Sequence, residues 1–157
     1  MLTKKIFASL LLLSFSAVTF AEKFNPDDIV GYWLTKEERA VIEVYKDGEE
    51  FAGKLVWLID LHTGAKKEVL DAENPDKKLQ SRSLLGLKNL WGFKFKDGEW
   101  VGGEIYDPKK GKTYSANMKL VNKDELHLRG YVGVPLFGRT SEWKRQKNII
   151  PDNFSLK

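Results

Sequence analysis

The sequence predicts an all-β protein, an antiparallel up-and-down barrel of about eight short strands, and three observations lead there. Apolar and polar residues alternate with period 2 through most of the chain, as in Tyr114, Ala116, Met118 and Leu120 against Ser115, Asn117 and Lys119. Tight-turn tetrapeptides punctuate those runs, and Lys-Asp-Gly-Glu occurs twice, at 46–49 and 96–99. Beyond residue 21, no ten-residue stretch carries the 3.6-residue periodicity of an amphipathic helix. Closing hairpin-linked strands on themselves removes exposed edges, which favours a barrel. A two-sheet sandwich is the alternative architecture for the same strands.

The elements follow in order. Asn25-Pro26-Asp27-Asp28 reads as a helical turn with proline at its start, before a first strand from Ile29 to Leu34. Ala40–Tyr45 and Phe51–Ile59 form a hairpin, the second strand placing Phe51, Gly53, Leu55, Trp57 and Ile59 on one face. Leu87–Lys96 and Trp100–Tyr106 make another hairpin. The Asp107-to-Gly111 turn then leads into Thr113–Val121. Leu126–Val132 and Arg139–Lys144 close the series. Gly102-Gly103 and Gly130, inside strands, mark bulges or bends where a barrel turns a corner.

One segment, 60–86, carries no strand pattern and is longer than the ~12–15 residues of an ordinary structureless connection. Asn74-Pro75-Asp76 before Lys77-Lys78-Leu79 supplies a cap, a first-turn proline and an acidic start, so a short helical turn is expected there. The insertion reads either as a lid over a barrel mouth or as a plug completing the core.

At the N-terminus, Lys4 and Lys5 precede an apolar run from Ile6 to Phe20, with Thr19 and Ala21 at the −3 and −1 positions of a cleavage site. The run is shorter than the ~20 apolar residues of a membrane span, so residues 1–21 read as a secretory signal cleaved near Ala21. The expected mature chain, 22–157, is one domain in the periplasm or outside the cell, with no membrane insertion of its own. Losing Lys4 and Lys5 reduces the formal net charge from +4 to +2, and the remaining basic residues are scattered among acids. That pattern carries no nucleic-acid footprint. The chain has no cysteine, so a hydrophobic core rich in its five tryptophans must hold the fold without disulfides.

Chemistry-bearing motifs are sparse. No Gly-x-Ser-x-Gly elbow or His-Glu-x-x-His helix is present, and no cofactor motif. His62 and His127 lack partners at metal-ligand spacing. Gly133 to Thr140 matches the letters of a phosphate loop with arginine for lysine, but a strand follows where that loop needs a helix. Asp71, Glu73, Asn74 and Asp76 place four oxygen donors within six residues, a weak calcium spacing that capping also explains. Arg129 shares its strand face with His127 and Tyr131; it lies outside if the neighbouring leucines face the core, and anchors a carboxylate if the lumen is polar.

Gly31-Tyr32-Trp33 at the start and Trp143-Lys144-Arg145 at the end resemble the lipocalin-like (calycin) pattern. The resemblance implies that Trp33 plugs a closed barrel end, with Arg145, or alternatively Arg139, stacked over it. More of the chain resembles an exported bacterial family known as domain of unknown function 2147. The matching stretches include Gly53-x-x-Val56-Trp57, Asp71-x-x-Asn74-Pro75-Asp76, Trp100-x-Gly102-Gly103-x-Ile105-Tyr106-Asp107-Pro108 and Gly111-Lys112-x-Tyr114. Leu128-Arg129-Gly130-Tyr131-x-Gly133 and Phe137-Gly138-Arg139-Thr140 continue the match. The family carries no established activity, but the resemblance implies that these residues form a motif set. Three functions stay open. The first is a binding barrel for a small apolar or amphipathic ligand, with Trp57, Asp71, Asn74, Asp76, Tyr106, Tyr114, Arg129 and Arg139 as candidate contacts. The second is a solid-core structural or interaction module. The third is a hydrolase using Asp71, Asp107 and an arginine, for which the sequence offers no nucleophile with a base in reach.

Overall fold

The computed structural model of the protein describes residues 23–154, so the expected signal segment at 1–21 lies outside the described residues. Eight strands run in sequence order: β1 (Gly31–Leu34), β2 (Ala40–Asp47), β3 (Glu50–Leu58), β4 (Lys88–Lys96), β5 (Glu99–Asp107), β6 (Lys112–Asn122), β7 (Glu125–Tyr131) and β8 (Arg139–Gln146). Each pairs antiparallel with the next, and β8 returns to β1 with Arg145 opposite Trp33. The sheet is a closed barrel, not a sandwich.

Local chemistry accounts for the hairpins, and the repeated tetrapeptide makes two different turns. At 96–99, Lys96 pairs with Glu99 and both central residues, Asp97 and Gly98, have positive φ (52° and 86°), the type I′ pattern. At the first copy the ladder closes one residue later, Asp47 opposite Glu50. Only Gly48 (φ 68°), now the first central residue, is left-handed, which is the type II′ requirement.

Inward alternation builds the core. Met118 faces Leu128 and Leu120 faces Leu126 across β6–β7, all within 4 % of full burial, with Phe93, Leu90 and Trp100 against them. These side chains fill the lumen that a ligand inside the barrel would need. Toward the rim, Ile105, Tyr114 and Ser141 are only half-buried.

Four local expectations are corrected. Ile29 ends a 3-10 turn, Pro26–Ile29, and does not begin a strand. The helical turn in the insertion, Lys77–Leu79, is capped by Asp76, whose carboxylate accepts from the Lys78 amide at 2.9 Å, not by Asn74. Trp57 does not share a face with Leu55. Val41 pairs with Trp57 while Ile42 pairs with Leu55, so Val56 is an extra residue. That bulge turns Trp57 to the outer wall, where it meets Leu34, Val41 and, at 5.1 Å between rings, Phe154. Ile59 also leaves the strand, beginning the one-turn α1 (Ile59–His62).

One barrel end is shut by the N-terminal turn. Trp33 Nε1 donates to the Ile29 carbonyl at 2.8 Å and Trp100 Nε1 to Pro26 at 3.0 Å. The Arg145 guanidinium lies 4.2 Å over the Trp33 ring, where Gly31 leaves room for it. It donates to the carbonyls of Asp28 (2.6 Å), Val30 (2.9 Å) and Lys123. Burial pulls the Arg145 pKa down, and the neighbouring Asp124 and Asp28 oppose that pull. At the other end, Leu61, Val69, Leu84 and Leu87 of the insertion pack on the core. This part of the insertion is a plug; residues 71–82 leave the mouth and lie along the outer wall.

Candidate functional site

The outer-wall portion is held by one buried carboxylate. An antiparallel bridge, Leu70 with Ser83, and the hydrogen bond from the Asp71 amide to the Arg82 carbonyl set Asp71 and Arg82 side by side. Asp71 is fully buried, the costliest place for a carboxylate unless its lone pairs are matched. They are matched: Oδ1 accepts from Tyr106 Oη at 2.6 Å, and Oδ2 from Asn74 Nδ2 at 2.7 Å and from Arg82 Nε and Nη2, both at 2.8 Å. Asn74 Nδ2 also donates to Tyr106 Oη at 3.0 Å, and its Oδ1 accepts the Asp76 amide at 2.9 Å. Arg82 stacks over the Tyr106 ring at 5.6 Å. Thus Asp71, Asn74, Asp76 and Tyr106, expected as candidates, form one network with Arg82. Asp71 has its acceptors committed, and among the described residues no group of three or more acids and histidines is placed to hold a metal ion.

Gly111 fixes where this segment docks. It has φ +60°, and any Cβ there would collide with the Glu73 backbone carbonyl and approach Pro75. Gly111→Ala therefore combines backbone strain with a main-chain clash, and should cost about 2–4 kcal/mol by urea denaturation while leaving the barrel's far-ultraviolet spectrum intact. A stability within 0.5 kcal/mol of the parent would show that the segment is free to shift.

Between this segment and the barrel wall lies a cavity of about 350 Å3. It is lined by Asn74, Pro75 and Arg82 of the segment, by Lys88, Trp91, Tyr106 and Thr113 of the strands, and by Gly111 of the β5–β6 turn. The Trp91 indole is held in place by donating to Glu104 Oε2 at 2.8 Å. Lys88 bonds Asp47 at 2.6 Å, and that acceptor raises its pKa. Arg82 spends Nε and Nη2 on Asp71, and Nη1 has no partner among the described residues. Two cations beside two aromatic faces suit a flat or amphipathic anion.

Burial raises the Tyr106 pKa, and its hydrogen bond to Asp71 adds to the rise. A raised folded-state value favours the neutral phenol in the native protein. Its contribution is whole below the unfolded value of about 10 and is lost as pH climbs through the folded one. Spectrophotometric titration should show one tyrosine ionising after the others, and Tyr106→Phe should remove that late step and flatten the alkaline loss of stability. A late step that persists in the variant would assign it elsewhere.

The remaining expected contacts lie apart. Trp57 is under Phe154 on the opposite outer wall, beside His62, whose Nε2 is 2.8 Å from the Phe154 carbonyl. Tyr114 is at the barrel rim under Lys110, 5.8 Å from its ring. Arg139 opens β8 at the same rim, opposite Gly130. Arg129 is on the outer face and is fully engaged by the β7–β8 loop, donating to the Pro135 and Leu136 carbonyls at 2.6 and 3.1 Å and to Thr140 Oγ1 at 3.0 Å. Sequence reasoning missed Arg82, Lys88, Trp91 and Thr113. Alternation in β4 does not reveal Trp91: Phe93, two positions on, packs in the core, yet Trp91 lies on the outer wall.

A family model for uncharacterised proteins conserved in bacteria, DUF2147, matches residues 31–145. No curated protein matches the chain. Among solved structures, protein HP1028 from the human pathogen Helicobacter pylori, described as belonging to the lipocalin family, is similar. It is 25% identical, with 82% of this chain and 90% of that chain covered and a TM-score of 0.68. A closed eight-stranded barrel with this match and this family model has one reading: the chain belongs to the uncharacterised bacterial family DUF2147 and has a lipocalin-like fold.

Proposed function

We propose that the protein is an exported carrier for a small amphipathic acid, bound on the outer wall beneath residues 71–82. The observation that carries this reading is the 350 Å3 cavity lined by Arg82 and Lys88 together with Trp91 and Tyr106. Its volume falls in the ~300–1,000 Å3 range of small-molecule sites. The buried Asp71 network holds Arg82 before any ligand arrives, which lowers the ordering cost of binding. A packed lumen supports placing the ligand outside the barrel.

Native mass spectrometry of protein recovered from cells, followed by calorimetric titration with 2-naphthoate, tests this. A small acid should co-purify or the probe should bind saturably, and Arg82→Met should weaken it at least tenfold, about 1.4 kcal/mol, with the fold retained. A clean apo mass, with no binding at millimolar probe, would favour the solid-core interaction module instead. Cleavage after Ala21 is checked by the same mass, which should correspond to a chain starting at Glu22.

A further inference from the structure

The β7–β8 loop carries the most exposed apolar group among the described residues. Val132, Val134, Leu136 and Phe137 are 75, 51, 78 and 79 % exposed, all within six positions. Large side chains left bare together in this way mark an interaction site. The loop is also built, not slack. Arg129 holds its Pro135 and Leu136 carbonyls, Phe137 and Gly138 donate back to Val134 and Pro135, and Gly138 packs so closely on the Gly130 carbonyl that no side chain fits there. Two charge-assisted donors therefore go to presenting Leu136 and Phe137 to the outside.

The surroundings select the partner. Ser115 pairs with Tyr131, which sets the β5–β6 turn alongside the start of the loop. That turn bears Lys109, Lys110 and Lys112, all exposed. Lys110 is 3.7 Å from Asp107, whereas Lys109, Lys112 and the exposed Arg139 at the loop's end have no ion pair among the described residues. A narrow apolar tip of this kind offers a few hundred Å2, short of the ~800 Å2 per partner in a stable protein complex. A bilayer needs no matching surface: apolar side chains enter the headgroup boundary while cations meet anionic phosphates.

We infer that the 132–138 loop docks the barrel, rim first, on anionic phospholipid surfaces, Leu136 and Phe137 entering the interface and Lys109, Lys112 and Arg139 meeting phosphate. The chain from Glu22 onward carries every strand and both barrel closures, and is the form to test. In vesicle co-sedimentation, it should bind phosphatidylglycerol–phosphatidylethanolamine vesicles at least tenfold more tightly than phosphatidylcholine vesicles, with binding weakened by added salt. Leu136→Ser with Phe137→Ser should reduce that binding at least tenfold while the melting temperature is unchanged, because both side chains are already in solvent. Lys109→Gln with Lys112→Gln should abolish the preference for anionic lipid. Equal binding by the loop variant, or none by the parent at millimolar lipid, overturns the inference. So does a concentration-dependent dimer, seen by sedimentation without lipid and lost in the loop variant, which would assign the loop to a second copy of the chain.

Discussion

Trp33→Ala should cost about 3–5 kcal/mol, a loss that leaves a domain of ordinary stability close to unfolding. Trp33 is fully buried, and its removal opens the closed end against Ile29 and Val44. It also leaves the Ile29 carbonyl without its indole donor and takes the aromatic face from under Arg145. Two smaller changes separate these contributions. Trp33→Phe keeps much of the bulk but loses the hydrogen bond, and should cost about 1–3 kcal/mol. Arg145→Met loses the stacking and the donors to Asp28 and Val30 while leaving the core filled, and should fall in the same range. Urea denaturation followed by tryptophan fluorescence measures all three. A Trp33→Ala protein within 1 kcal/mol of the parent would show that the N-terminal turn is not part of the cooperative barrel.

Asp71→Ala should cost about 2–4 kcal/mol, because it strands buried partners as well as deleting a contact. Tyr106 Oη and Asn74 Nδ2, both on nearly buried residues, lose that acceptor, and Asn74 Nδ2 keeps only Tyr106 Oη. Arg82, whose side chain is 36 % exposed, can recover part of its hydration, so the cost stays below that of breaking a fully buried pair. Combining Asp71→Ala with Tyr106→Phe should be less than additive, since the second change removes one of the stranded groups. The 71–82 segment should also loosen locally, and trypsin should cut at the exposed Lys77 and Lys78 faster than in the parent. Simple additivity with unchanged proteolysis would mean that the four side chains do not act as a unit.

Much of the barrel is legible in the sequence because it rests on local rules. Period-2 alternation assigns Ala116, Met118 and Leu120 to the core without reference to any other strand, and Gly48, Gly98, Gly111 and the Asn122-Lys123-Asp124 turn locate four hairpins. Even so, the identical Lys-Asp-Gly-Glu letters make a type II′ turn in one place and a type I′ turn in the other, since the ladder on either side sets the register. Trp57 shows the limit of alternation: one extra residue, Val56, reverses every assignment beyond it. The candidate site is only half legible. Asp71, Asn74, Asp76 and Tyr106 stand out as residues, but the reason they belong together is that an irregular segment folds back over Gly111 onto an outer wall. That contact spans more than thirty positions and has no periodicity, so Arg82 and Trp91 carry no local sign of their role. Arg129 is readable to the correct face once Leu126 and Leu128 are known to be inside, though its three acceptors, two in the next loop and one on β8, are not.

The central claim is that a small amphipathic acid binds on the outer wall and not in the lumen. The most direct measurement follows the five tryptophan indole N–H resonances during titration with 2-naphthoate. Trp91 faces the cavity, whereas Trp33, Trp100 and Trp143 belong to the packed core. The expected result is a saturable shift of the Trp91 signal and of the Arg82 Nε–H, with the core indoles still. Shifts led by Trp100, Trp143 and the Met118 methyl, with Trp91 unmoved, would place the ligand inside the barrel and contradict the claim.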